Sequence, residues 1–217
     1  MFKQRNICIL FLVLVFVFLF IYISSDTILD DNHEITNDHL IYIEDFLSND
    51  DFQKILQLNT NKNSFKNEDY RFIKPLKPNT ISNHIFYSNK YVQKIREELN
   101  NQNVKSSNFP IEHRIYPINS KGMEWHIDTL MYDIPQYEAV FTIRNNSRSY
   151  TEWEDNNGKI HRKWTKPNSI LIVRAKGYKH RVTPPKTGER EILKLIYTQS
   201  DKPNDNYYRE MKRFNNI

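Results

Sequence analysis

Gly-Met-Glu-Trp-His-Ile-Asp at residues 122–128, followed after a gap by KHRVTPPKTGEREILKLIYT at residues 179–198, is the stretch that decides how this chain reads. Residues 124–128 have the character of a strand, whose side chains at i and i+2 leave from one face. His126 and Asp128 therefore project together. One imidazole beside one carboxylate is two thirds of a 2-His-1-carboxylate face, a geometry that suits non-haem Fe(II) and leaves coordination positions open. With seven histidines in the chain, a His-x-Asp pair arises easily by chance. The second half of the stretch is therefore what raises the odds. Residues 169–173, SILIV, form an apolar run with the character of a core strand. His180 follows, then a turn rich in Pro and Gly at residues 183–188, then a β-rich run at residues 191–197 with Arg190 at its start. His180 and Arg190 thus fall on two strands joined by a tight turn, within reach of one pocket. An arginine is well matched to a carboxylate, because its planar fork bonds bidentately and stays charged.

An H-x-D pair, then 51 intervening residues, then H-x-V-x-P and a G-x-R ten residues past the second histidine resembles the Fe(II)/2-oxoglutarate-dependent dioxygenases, in particular their prolyl 4-hydroxylase-like branch. The resemblance implies a mainly β fold with flanking helices (α+β), built on a double-stranded β-helix of the jelly-roll or cupin kind over residues 111–198. It implies Fe(II) held by His126, Asp128 and His180, with Arg190 binding the far carboxylate of 2-oxoglutarate and O2 as the second substrate. Ascorbate is a further cofactor that such chemistry uses. Tyr116 sits where the family often places a tyrosine on that carboxylate, and Thr142 is a second candidate for the same role. Lys194 shares the strand face of Arg190. A lone buried lysine is costly, so either a bulge turns it away or it meets an anion near the cosubstrate. The implied substrate is a peptide, with peptidyl proline of a secreted protein foremost, or a small molecule. Two rivals stand beside this reading: the same fold acting on a nucleobase, lipid or small molecule, and a membrane-tethered β-barrel module without catalysis.

Outward from this stretch, the N-terminus carries the next clear signal. Lys3 and Arg5 precede residues 7–23, ICILFLVLVFVFLFIYI, which contain no charge. At about 1.5 Å per residue this run nearly crosses a hydrocarbon core of about 30 Å. It exceeds the usual signal-peptide apolar region and no A-x-A-like site follows. Residues 1–24 are expected to be an uncleaved signal anchor, that is, one N-terminal transmembrane helix. A cleaved signal peptide and a buried helix are the alternatives. The basic flank places the N-terminus in the cytoplasm and the catalytic domain across the membrane. The net charge is +5, of which Lys3 and Arg5 supply two. The remaining balance is too mild and interspersed to argue for nucleic acid. The single cysteine, Cys8, lies inside the apolar run, so the domain has neither a disulfide nor a thiolate ligand.

Residues 25–39 are polar and read as a stem, residues 40–200 as the dioxygenase domain and residues 201–217 as a loose polar tail. Residues 40–43 read as a strand. Helices are expected at 49–58, after Ser48, and at 89–101, after Ser88, each with apolar residues at helical spacing. Residues 59–83 read as loop and residues 111–118 as a strand on which His113 is structural. Asn157-Gly158 predicts a two-residue hairpin that pairs Glu154 with His161 and Glu152 with Lys163. It also puts Trp153 and Trp164 on the opposite face. Residues 145–147 form an Asn-Asn-Ser glycosylation sequon, usable only on an exposed loop.

Overall fold

A computed structural model describes residues 40–214 of the protein. Their twelve strands, numbered in chain order, form two antiparallel sheets. The larger contains β1 (Leu40–Ile43), β2 (Lys66–Glu68), β3 (Arg71–Pro75), β4 (Lys105–Ser106), β5 (Glu112–Tyr116), β7 (Tyr137–Asn145), β10 (Ser169–Arg174) and β12 (Arg190–Thr198). Its order is β1-β10-β7-β12-β5-β3-β2, with β4 added to the end of β12. The smaller contains β6 (Met123–His126), β8 (Thr151–Glu154), β9 (Ile160–Lys163) and β11 (Lys179–Val182), in the order β6-β11-β8-β9. Side chains from both sheets line one cavity, as in a jelly roll.

Period-2 alternation sorts the larger sheet into two faces. Ala139, Phe141 and Ile143 of β7, Ile170 and Ile172 of β10, and Leu193, Leu195 and Tyr197 of β12 join a core with the helices. The residues between them, Glu138 and Val140, Leu171 and Val173, and Ile192 and Lys194, line the cavity. The helices are α1 (Asn49–Leu56), α2 (Ile81–Phe86) and α3 (Asn89–Glu98). They cover the first face with Ile55, Ile85, Phe86, Tyr91, Val92 and Ile95. Each large apolar side chain buried this way contributes about 1.5–3 kcal/mol. Ser48 and Ser88 hold the N-cap positions of α1 and α3 without a side-chain cap bond. Their hydroxyls go instead to Asp51 and to the Ile85 carbonyl.

Several local expectations are corrected. Residues 59–83 are not all loop: they hold a 3-10 turn, β2, β3 and the first half of α2. β3 extends the sheet by pairing with β5, which supplies hydrogen bonds that a short polar segment lacks on its own. The tail is not loose. Residues 205–212 form a helix, α4 (Asp205–Lys212), whose N-cap Asn204 accepts from Asn206 N and Tyr207 N. Tyr207, Met211 and Phe214 pack on Phe109, Met131, Tyr132 and Ile196.

The β8–β9 hairpin is one residue out of the expected register. Asp155 N donates to Lys159 O, Gly158 N to Asp155 O, and Gly158 has φ +76°. This is a three-residue turn ending in a left-handed glycine. It pairs Glu152 with Arg162 and Trp153 with His161, not Glu152 with Lys163 or Glu154 with His161. His161 bonds Asp155 at 2.7 Å and stacks on Trp153, while Trp164 lies beyond β9 and donates to Ser147 O. Asn145 of the sequon is buried, and its amide donates to Thr165 O, so it is not on an exposed loop. Residues 7–23 lie outside the described residues. Among the described residues no helix is long and apolar enough to cross a membrane.

Candidate metal centre and anion anchor

The expected strand over 124–128 ends at His126, so Asp128 projects from the loop just beyond β6. The two side chains meet nonetheless. Asp128 Oδ1 is 3.7 Å from His126 Nε2, and its Oδ2 is 3.5 Å from His180 Nε2. His126 and His180 are cross-strand partners on β6 and β11, with ring centroids 4.3 Å apart. One ligand atom from each of the three residues lies within 4.8 Å of the others. Between β6 and β11 the register shifts, so that Met123 opposes Val182 while His126 opposes His180. The extra residue on β6 lets Met123 and His126 both face the cavity.

Backbone carbonyls orient both imidazoles. His126 Nδ1 contacts Glu124 O at 2.8 Å and His180 Nδ1 contacts Tyr178 O at 3.0 Å. Each Nδ1 is therefore the protonated donor, and each Nε2 presents a lone pair toward Asp128. His126 Nε2 is buried without a hydrogen-bond partner. Burial, and then the neighbouring His180, push the His126 pKa down to about 4. Burial also lowers that of His180. Two neutral imidazoles with inward lone pairs beside a carboxylate are the donor set that a divalent cation requires. Burial raises the Asp128 pKa, and the Lys194 cation opposes that rise.

The Asp128 loop is pinned by a residue that the sequence reading did not pick out. Gln136, fully buried, donates from Nε2 to Thr129 O at 2.8 Å and accepts Met131 N at 3.0 Å through Oε1. Lys176 N donates to Asp128 O at 3.3 Å.

On the β5, β8 and β12 side Tyr116 and Thr151 line the cavity, and Arg190 lies behind them, not among the lining side chains. Arg190 is 1 % exposed. Its Nη1 donates to Thr151 Oγ1 at 3.2 Å, while Nε and Nη2 are buried without partners. No carboxylate pairs with it among the described residues. Burial lowers its pKa to about 10, against the opposing pull of Tyr116. Tyr116, directly opposite Arg190 across β5–β12, lines the cavity with Thr151. Burial raises the Tyr116 pKa, but Arg114, Arg71 and Arg190 outweigh it and hold the phenol below its ordinary value. An unpaired, desolvated guanidinium behind a hydroxyl-bearing wall is a site for an anionic group.

Thr142 is fully buried and its hydroxyl donates to Thr165 at 2.8 Å. It is not among the side chains that line the cavity. Lys194 does line it, and its ammonium pairs with Glu138. β12 keeps its alternation through this region, because the extra residue of the β7–β12 irregularity, Ile143, falls on β7. Arg114, Glu138 and Thr151 also line the cavity and were not anticipated. Parity offered a signal for two of them: Arg114 is two residues before Tyr116, and Glu138 four before Thr142. His113 bonds Glu191 at 2.7 Å in the core, in keeping with a structural role.

No protein-family model matches the sequence, and no curated protein matches it. Solved structures do match the fold. An oxidoreductase of the 2OG-Fe(II) oxygenase family from Burkholderia pseudomallei superposes with a TM-score of 0.63 at 9 % identity, covering 76 % of this chain and 87 % of its own. A Pseudomonas putida prolyl-4-hydroxylase gives 0.61 at 14 %, covering 75 % and 94 %. A Trichoplax adhaerens prolyl hydroxylase, in complex with a hypoxia inducible factor peptide fragment, gives 0.60 at 16 %, covering 75 % and 84 %. The chain therefore has the fold of the 2-oxoglutarate/Fe(II) oxygenases, prolyl hydroxylases among them.

Proposed function

We propose that this chain is an Fe(II)- and 2-oxoglutarate-dependent oxygenase that hydroxylates a C–H bond. The observation that carries the proposal is Arg190: a buried cation with two unpartnered donor atoms, bonded to a wall of the cavity that also holds a His-Asp-His set. A merely structural metal site has no need of a second, anion-seeking group. His126, Asp128 and His180 would hold Fe(II), and Arg190 with Tyr116 would take the far carboxylate of 2-oxoglutarate. When bound, Fe(II) with 2-oxoglutarate and O2 supplies the oxidising power for hydroxylation. The protein's own part is positional. The carbonyls of Glu124 and Tyr178 aim the imidazoles, Gln136 holds the Asp128 loop, and Leu171, Val173, Val182 and Ile192 exclude water.

The substrate class we favour is a peptide, with proline as the residue modified. Several solved structures of this fold are prolyl hydroxylases, one of them in complex with a peptide fragment. We further place the domain on the far side of a membrane, tethered by the uncharged residues 7–23. Purified protein supplied with Fe(II), ascorbate and 2-oxoglutarate should release succinate. Mass spectrometry should then find a gain of about 16 Da on proline-containing peptides, the mass of one inserted oxygen. Metal binding without succinate release under any substrate would leave a binding module, and oxidation confined to small molecules would replace the peptide assignment.

A further inference from the structure

Glu138, on the larger sheet, is a fourth acidic or imidazole side chain lining the cavity that holds the three metal-ligand candidates. Burial raises its pKa, and the charge of Asp128 acts on it in the same direction. It is nevertheless outside the three-residue cluster whose ligand atoms converge. Two donors draw it away. Lys194 Nζ pairs with its Oε2, and Gln136 Nε2 reaches its Oε1 at 3.4 Å. The lysine is committed to Glu138 because the next acidic group, Glu112, is already bonded by Arg114 Nε and Nη2 at 3.1 and 2.8 Å. Both members of the Lys194–Glu138 pair are largely buried, with side-chain exposures of 17 % and 7 %. A buried ion pair stabilises a fold little compared with well-packed apolar residues, so its presence beside a reactive centre calls for another reason.

That reason lies in coordination chemistry. A carboxylate next to a divalent cation is a better ligand than water, and each added charged ligand tightens the site. A fourth protein ligand would also fill a position that a 2-His-1-carboxylate centre leaves open for its substrates. We propose that Lys194 guards the metal centre: by pairing with Glu138 it keeps that carboxylate off the cation and preserves a centre of three protein ligands. This inference rests on the metal-site reading above.

The test is Mn(II) binding by the full-length protein, with affinity from calorimetry and metal-bound water from proton relaxation. Neither readout depends on turnover. Lys194→Met is expected to bind Mn(II) about tenfold more tightly and with fewer bound waters, because the freed Glu138 carboxylate joins the metal. Adding Glu138→Gln to that variant should reverse both changes, and Lys194→Arg, which keeps the cation, should behave as wild type. A lysine that merely supports the ligands predicts the opposite sign, a loss of about 10–100-fold. Weakened or unchanged affinity in Lys194→Met, with wild-type protein binding Mn(II) normally, overturns the guard and leaves the metal site standing. Wild-type protein that binds no Mn(II) overturns the metal site itself. If Lys194→Met does not fold, Lys194→Ala removes the cation and every donor at that position, and the same two readouts decide.

Discussion

At the scale of single residues, Arg190 is held in a state that folding alone does not favour. Its charge is desolvated, and two of its donor atoms have no partner. Leaving such groups unsatisfied costs about 1–3 kcal/mol or more, so truncating the side chain relieves a penalty. Arg190→Met is therefore expected to leave thermal stability unchanged or raise it, while weakening 2-oxoglutarate binding by about 2–5 kcal/mol. Paired thermal melts and cosubstrate titrations check both halves. Loss of stability with unchanged affinity would mark the arginine as structural. Glu191 presents the contrasting case of a buried charge that is fully paired. Burial raises its pKa, but His113 at 2.7 Å and Arg144 at 2.5 Å outweigh burial and hold it below the ordinary glutamate value. A carboxyl with a depressed folded pKa contributes stability that is present above its unfolded pKa of about 4.3 and is lost as pH falls through the folded value. Glu191→Gln should thus be less stable near neutrality and show a shallower acid limb, read from urea midpoints taken down to about pH 3.

At the scale of elements, two left-handed glycines separate a turn requirement from a packing requirement. Gly158 closes the β8–β9 hairpin with φ +76°, and a Cβ there would meet only Glu154 Oε1, at 3.8 Å. Gly158→Ala should cost about 1–2 kcal/mol, the ordinary left-handed penalty. Gly122, with φ +72°, precedes β6, and a Cβ there would lie 2.4 Å from Val182 O and 2.8 Å from Pro184 N. No flexible side chain can yield at that contact. Gly122→Ala should therefore destabilise more than Gly158→Ala and also loosen metal binding, because it pushes β6 from β11 where His126 faces His180. Urea denaturation with Mn(II) titration distinguishes the two. On the opposite face of the larger sheet, Ile95 of α3 is fully buried. Ile95→Ala should cost about 2–5 kcal/mol in urea denaturation, with metal affinity unchanged, since α3 packs away from the cavity.

At the scale of the whole molecule, the two faces of the larger sheet divide the work: helices bury one, and the cavity with the candidate site occupies the other. If residues 7–23 anchor this domain, the full chain should stay with membranes through alkaline carbonate washing, and intact vesicles should shield residues 40–214 from protease. Release by carbonate would remove the anchor from the proposal. Much of this organisation can be read from the chain alone. The placement of His126, His180 and Arg190 on strands was legible because strand pattern and a Pro-Gly turn are local, whereas Asp128 reaches the two imidazoles from the loop beyond β6, which strand parity does not describe. The apolar strands β10 and β12 were legible for the same reason. The hairpin register was not, because Asn157-Gly158 fits either a two- or a three-residue turn, and one residue of slip changes every cross-strand pair. Nor were β2, β3 and α4 legible: they carry weak periodicity and form because a sheet edge or the aromatic cluster around Phe109 receives them. The Lys194–Glu138 pair, the Gln136 brace and the two unpartnered donor atoms of Arg190 belong to the tertiary structure alone. Parity tells which way a side chain points, but only the packing of one sheet against another decides which charges meet there and which are left without a partner.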